Sequence, residues 1–191
     1  GSWLVTDSSA AHWPLAVTGH TMRIIAGNFG GRRLHPPGGS ASRPTADRVR
    51  EAVFSIIGPA VVGAEVLDLF AGTGAMGLEA LSRGASRATF VDQSRHAVQL
   101  IRLNLELCRV SDQARVIHGS VNQVIRRLAG QQETFDLIFI DPPYGRDFIQ
   151  QSLALLGQVV RPGTLVVAEH GSRKPLPLQV EEWSQTVERH Y

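Results

Sequence analysis

Residues 66–77, V-L-D-L-F-A-G-T-G-A-M-G, decide the fold. Val66, Leu67, Leu69 and Phe70 form a short apolar run bounded by turn residues, the pattern of a buried strand. Gly72, Gly74 and Gly77 follow at G-x-G-x-x-G spacing, and residues 75–81 read as a helix. Glycine permits a tight turn and a close approach of backbone to ligand. The loop therefore opens onto a helix N-terminus whose N–H groups suit an anion. This is a nucleotide-type ligand site; a glycine-rich turn that serves packing alone ranks well below it.

The glycine spacing also fits a dinucleotide fingerprint. Asp92, which ends the next apolar run A-T-F-V-D, supplies an acid for a ribose diol in either case. Asp68 separates the two. A carboxylate beside the loop repels a doubly anionic pyrophosphate. S-adenosylmethionine instead carries an ammonium, a sulfonium and a single carboxylate. Asp68 suits the cations and the glycine N–H groups suit the carboxylate, so Asp68 is expected to face the methionyl end of S-adenosylmethionine.

Outward from this stretch, 191 residues suffice for one sizeable domain, and 43% hydrophobic with 19% charged residues is ordinary for a globular chain. No apolar run approaches the roughly 20 residues of a membrane span. One cysteine, Cys108, excludes an internal disulfide framework and fits a reducing cytoplasm. Its place in an expected helix points to packing. Charge is uneven. Between Met22 and Arg50 stand Arg23, Arg32, Arg33, Arg43, Arg48 and Arg50 against one acid, Asp47. That local +5 leaves −3 for the rest of a chain whose net charge is +2. A basic arm on a near-neutral body suggests a polyanionic partner, and the guanidinium fork fits phosphate.

Residues 1–21 read as a tag or non-native leader and are set aside: Gly1-Ser2 resembles a cleavage scar, and no clean period follows. Residues 22–58 form the arm, expected as strand, glycine turn and strand over 22–34, then a helix capped by Thr45 and stopped at Gly58-Pro59. Residues 59–191 form the main domain. Strands are expected at 87–91, 114–118, 135–140, 164–169 and 180–187. Helices are expected at 95–108 behind a Ser94 cap, at 121–128 and at 148–156. Such alternation predicts an α/β, Rossmann-like open sheet, mostly parallel and covered by helices on both faces. Ligands of such sheets bind beyond the carboxyl ends of the strands, which places Asp68, Asp92, His118 and Asp141 on one rim.

The second chemical motif is Asp141-Pro142-Pro143-Tyr144, directly after the strand F-D-L-I-F-I. Proline ends strands, so punctuation is the plain alternative. The prolines also stiffen the turn and present carbonyl oxygens without competing N–H groups. A rim carboxylate, a fixed carbonyl and a flat ring suit an exocyclic amino group on a stacked base. Neither a Ser/His/Asp or Cys/His arrangement nor metal-ligand spacing is evident, and no metal is expected.

Five stretches together resemble the RsmD family of S-adenosylmethionine-dependent ribosomal RNA methyltransferases. They are M-R-I-I-A-G-x-x-G-G-R-R-L (22–34), R-P-T-A-D-R-V-R-E-A-V-F (43–54), V-L-D-L-F-A-G-T-G-A-M-G-L-E-A-L-S-R-G-A (66–85), F-V-D (90–92) and D-P-P-Y (141–144). The first two are the specific ones, since the others occur across many amino-methylating enzymes. The resemblance implies methylation of the exocyclic N2 of a guanine in 16S ribosomal RNA, within the small subunit or an assembly intermediate. It implies that Asp68, Phe70, Gly72 and Gly74 hold the methionyl side, Asp92 and Gln93 the ribose side, and Asp141, Pro142 and Tyr144 the guanine. Arg32, Arg33, Arg43, Thr45 and Pro143 are expected to meet RNA or close over the site. The chain departs from the family at Ser120, where an Asp or Asn commonly meets the adenine amino group, and at its end, where the family continues past Y-G into a last strand. An absent edge strand is expected to expose its neighbour. A cytoplasmic monomer without a membrane partner is expected.

The competing readings are a DNA adenine-N6 methyltransferase, a protein-amide methyltransferase, a non-catalytic RNA-binding assembly factor on the same scaffold, and a nicotinamide oxidoreductase. They are disfavoured respectively by the lack of a separate DNA-reading domain, by the basic arm, by the intact acids and D-P-P-Y, and by Asp68.

Overall fold

The computed structural model describes residues 2–7, 22–37, 44–142, 148–170, 179–180 and 183–190. Eight strands and five helices follow one another as β1 (Ser2–Asp7), α1 (Pro44–Ile57), β2 (Glu65–Leu69), α2 (Ala75–Ser82), β3 (Arg87–Asp92), α3 (Arg95–Cys108), β4 (Ala114–His118), α4 (Val121–Gly130), β5 (Phe135–Ile140), α5 (Phe148–Leu156), β6 (Val160–His170), β7 (Gln179–Val180) and β8 (Trp183–His190). All lie in one sheet of order β4-β3-β2-β5-β6-β1-β8-β7, parallel except for the β7–β8 pair. Strand order reverses between β2 and β5, so the loops after those two strands flank the point where open α/β sheets bind ligands.

Side chains alternate across β2 and build a core on each face. Val66 joins Phe54, Leu78, Phe90, Ile101 and Phe139 beneath α1, α2 and α3. Leu67 and Leu69 join Ile125, Leu128, Ile138, Leu153 and Leu156 beneath α4 and α5. Asp68 has the parity of Val66 and so points toward α2. The helices begin where local chemistry allows: Ser94 Oγ accepts the Ala97 N–H (3.3 Å) ahead of α3. Helix α1 starts at Pro44, one residue before the expected Thr45 cap, with proline at a first-turn position where no N–H is needed.

One expectation gives way. The segment over 22–34 is a turn-rich loop closed by one antiparallel bridge, Arg23 to Arg33, rather than a pair of strands. The Ile24, Gly31 and Leu34 N–H groups bond across the loop, while those of Ile25, Ala26 and Phe29 bond to the Glu79 and Ser82 side chains of α2. Ser2–Asp7, within the 1–21 stretch, lies parallel between β6 and β8. Strand β6 is therefore paired on both sides. Strand β6 also starts four residues earlier than expected, because Thr164 Oγ1 donates to the Phe135 carbonyl (2.6 Å) and accepts the Arg161 N–H (3.0 Å) across Pro162-Gly163. Among the described residues no helix is long and apolar enough to cross a membrane.

Candidate active site

The rim is built by the ends of β2, β3, β4 and β5, where Asp92 pairs in register with His118, and Leu69 with both Val91 and Ile140. The Asp141 N–H reaches back toward the Leu69 carbonyl at 3.5 Å, so the two loops at the switch point leave the sheet side by side. The loop after β2 turns through three positive φ angles, at Phe70 (60°), Gly72 (57°) and Gly74 (79°). For a bulky residue such as Phe70 this conformation costs energy and persists only where the surroundings over-determine it. The Phe70 ring lies against Phe148 at the start of α5, with centroids 5.5 Å apart and planes at 54°. Phe148 is a rim residue that no sequence signal singled out.

Gly77 shows why the third glycine is needed. A Cβ there would sit 2.3 Å from the Phe90 ring, so only glycine lets α2 lie this close to β3. The same approach brings the Gly77 N–H to Asp68 Oδ2 at 2.9 Å. Asp68 is 2% exposed, and among the described residues no cation pairs with it. Burial pushes its pKa up to about 7, with the nearby Asp92 charge adding to the rise and the Gly77 hydrogen bond opposing it. Asp92 is only half-buried. Its Oδ2 accepts the Gly72 N–H (2.9 Å) and its Oδ1 the Ser94 N–H (2.8 Å).

These bonds engage the loop's own N–H groups. Asp92 takes the Gly72 N–H, and the Ala71 carbonyl takes the Gly74 N–H at 2.7 Å. The glycines shape the loop, and Asp68 and Asp92 are the acids beside it. Of the other expected positions, Gln93 is exposed and its carbonyl lies 3.0 Å from His118 Nε2. Ser120 is half-buried ahead of α4 and makes no capping bond. Asp141 is exposed and Pro142 half-buried. Pro143, Tyr144 and Arg43 lie outside the described residues, as does the side chain of Thr45.

The arm divides its arginines. Arg50 is 4% exposed; it donates to the Arg23 carbonyl and to Asp47 Oδ1 (2.9 Å), and its Nε lies 3.6 Å from Glu79 Oε2. Arg32 donates to the Leu107 carbonyl (3.1 Å) and covers the Phe29 ring. Arg23, Arg33 and Arg48 remain exposed. Glu79, fully buried on α2, accepts the Ile25 and Ala26 N–H groups (2.7 and 3.1 Å) and pairs with Arg83 (2.7 Å). Gly27 packs onto the end of α2 so tightly that a Cβ would lie 1.9 Å from the Ser82 carbonyl oxygen. An acid amid the apolar run of α2 was the sequence signal for Glu79, by the logic that picked out Asp68. Cys108 is buried beside Arg32, and burial pushes its thiol pKa up, as suits a packing role.

Comparison with known proteins agrees with this architecture. The family model described as Conserved hypothetical protein 95 matches residues 22–191. The chain is 36% identical over 172 residues to YlbH of Bacillus subtilis, covering 89% of this chain and 94% of that one. It is 36% identical over 165 residues to Ribosomal RNA small subunit methyltransferase D of Escherichia coli, covering 85% and 81%. A solved structure of a hypothetical protein from Thermus thermophilus superposes with a TM-score of 0.72 at 32% identity, covering 82% and 90%. The chain belongs to the family of Conserved hypothetical protein 95, the RsmD family its motifs resemble.

Proposed function

We propose that this protein methylates the exocyclic N2 of a guanine in 16S ribosomal RNA, using S-adenosylmethionine. One observation carries the reading: Asp68, a buried carboxylate that no cation pairs with among the described residues, sits under a glycine loop directly across the switch point from a rim acid followed by proline. A buried acid in that state fits a ligand that brings its own positive charge. It does not fit a pyrophosphate. The relative named Ribosomal RNA small subunit methyltransferase D supports ribosomal RNA as the polymer.

S-adenosylmethionine supplies an electrophilic methyl group on a sulfonium. Asp68 would hold the methionyl ammonium, and Asp92, which accepts the Gly72 N–H, would accept the ribose hydroxyls as well. An aromatic amine is a weak nucleophile because its lone pair is delocalised into the ring. Asp141 and the Pro142 carbonyl accept hydrogen bonds from its two N–H groups, which turns the lone pair outward and favours the positive charge that develops on nitrogen. Tyr144, outside the described residues, would supply the ring on which the base stacks. The rest is positioning for in-line attack: the N–CH3 bond forms as the S–CH3 bond breaks, S-adenosylhomocysteine leaves as the neutral thioether, and Asp141 or water takes one proton from the methylated nitrogen. Arg23, Arg33 and Arg48 offer the phosphate contacts, whereas Arg50 belongs to the fold. The protein acts as a cytoplasmic monomer.

The test is incubation with methyl-labelled S-adenosylmethionine and, in parallel, unmethylated 30S particles, naked 16S RNA and DNA. Label on a guanine N2 of the 16S RNA in 30S particles is expected. Label on DNA adenine, or none on RNA, overturns the reading.

A further inference from the structure

Asn104 lies on α3 and is fully buried. Its Oδ1 accepts the His35 N–H (2.8 Å), and its Nδ2 donates to the His35 carbonyl (3.3 Å) and the Thr73 carbonyl (3.0 Å). Thr73 is the residue between Gly72 and Gly74, and its hydroxyl also reaches Met22 Sδ at 3.3 Å. Met22 and His35 stand at the two ends of the arm loop, which the Leu34 N–H closes onto the Met22 carbonyl (2.8 Å). One buried amide thus satisfies the arm and the cofactor loop together. Asn104 falls three residues after Ile101 on the buried stripe of α3, where packing alone would place an apolar side chain. A buried amide in such a place is kept only when its partners need it.

We propose that Asn104 is a positioning residue that ties the arm to the cofactor loop, so that RNA on the arm and cofactor in the loop strengthen each other's binding. The proposal rests on the RNA and cofactor reading above. The peptides on either side of Thr73 are flanked by glycines and are soft. The Asn104 bond fixes one of them to a group that also fixes the arm. Displacing either segment alone strands a buried donor or acceptor, so the two adopt their docked positions together. A ligand that holds one segment in place then favours the other, and by linkage the effect is reciprocal.

Equilibrium dialysis of labelled S-adenosylhomocysteine against the full chain tests this, with and without saturating unmethylated 30S particles, whose own binding is followed by sedimentation. In the wild-type chain the particles are expected to tighten S-adenosylhomocysteine binding about fivefold or more. In Asn104→Asp, which keeps an acceptor for the His35 N–H and loses the donor to Thr73, the shift is expected to fall to about twofold or less. A merely structural role lowers the melting temperature and leaves that ratio unchanged. Particles that bind without altering S-adenosylhomocysteine affinity overturn this proposal and leave the RNA reading standing; particles that do not bind overturn both. Retention of the full shift in Asn104→Asp also overturns it. Should that variant not fold, the wild-type ratio decides alone.

Discussion

Helix α2 has a buried acid against each of its two sides, and the two have opposite surroundings. On the arm side, Glu79 has Arg50, Arg83 and two backbone N–H groups. On the rim side, Asp68 has the Gly77 N–H and no cation among the described residues. A buried acid that is paired and fully bonded holds structure together. A buried acid left without a counter-charge is unfavourable until something cationic arrives, and such groups cluster at functional sites. The same difference sorts the arginines: Arg50, pulled into the paired site, is no longer available to phosphate.

The largest effect expected lies across the switch point. Asp141→Ala should lower methyl transfer by about 100-fold or more while leaving S-adenosylmethionine affinity within about twofold, as measured by single-turnover rates and calorimetry. Unchanged turnover would remove Asp141 from the chemistry. Next come the two acids themselves. Glu79→Ala should cost about 3–5 kcal/mol in denaturant unfolding, because it strands Arg50 in the interior. Asp68→Asn should cost little or even stabilise the unliganded protein, since it removes an unpaired buried charge. Equal losses would erase the contrast.

A smaller effect follows from pH. Between the ordinary carboxylate value of 3.8 and about 7, folded Asp68 holds a proton that the unfolded chain has released. Its contribution to the stability of the unliganded protein therefore declines as pH rises through that window. Binding a cation favours the ionised form, so S-adenosylmethionine affinity should rise about tenfold from pH 6 to pH 8, and the Asp68→Asn variant should lose this dependence. The smallest effect is on RNA. Arg33→Ala with Arg48→Ala should reduce the salt slope of 30S binding by about two, one for each phosphate contact. Arg32→Ala should act chiefly on stability, through its bond to the Leu107 carbonyl.

The main sheet was legible because its signals are local. Phe135–Ile140, Ala114–His118 and Phe148–Leu156 fall at the expected residues, bounded by turn residues that any compact chain must place on its surface. The rim acids followed from strand ends. The arm was less legible because its partners are distant in sequence. Ile25 and Ala26 find Glu79 more than 50 residues away, and a pair of strands gave way to that docking. Arg50 is likewise buried by an acid on another helix, which charge counting misses. Ser2–Asp7 has no period of its own and becomes a strand only through β6 and β8. The glycine spacing shows where the loop turns, not which carboxylate faces its N–H groups.

The central claim, that Asp68 is the seat of a cationic methyl donor, is tested most directly by calorimetric titration at pH 8 of wild type and Asp68→Asn, with S-adenosylmethionine and with NAD. Binding of S-adenosylmethionine by the wild type, weakened about 30-fold or more in the variant, and no binding of NAD by either, is the predicted result. Equal S-adenosylmethionine affinity in the two proteins, or NAD held in the same site, would contradict it.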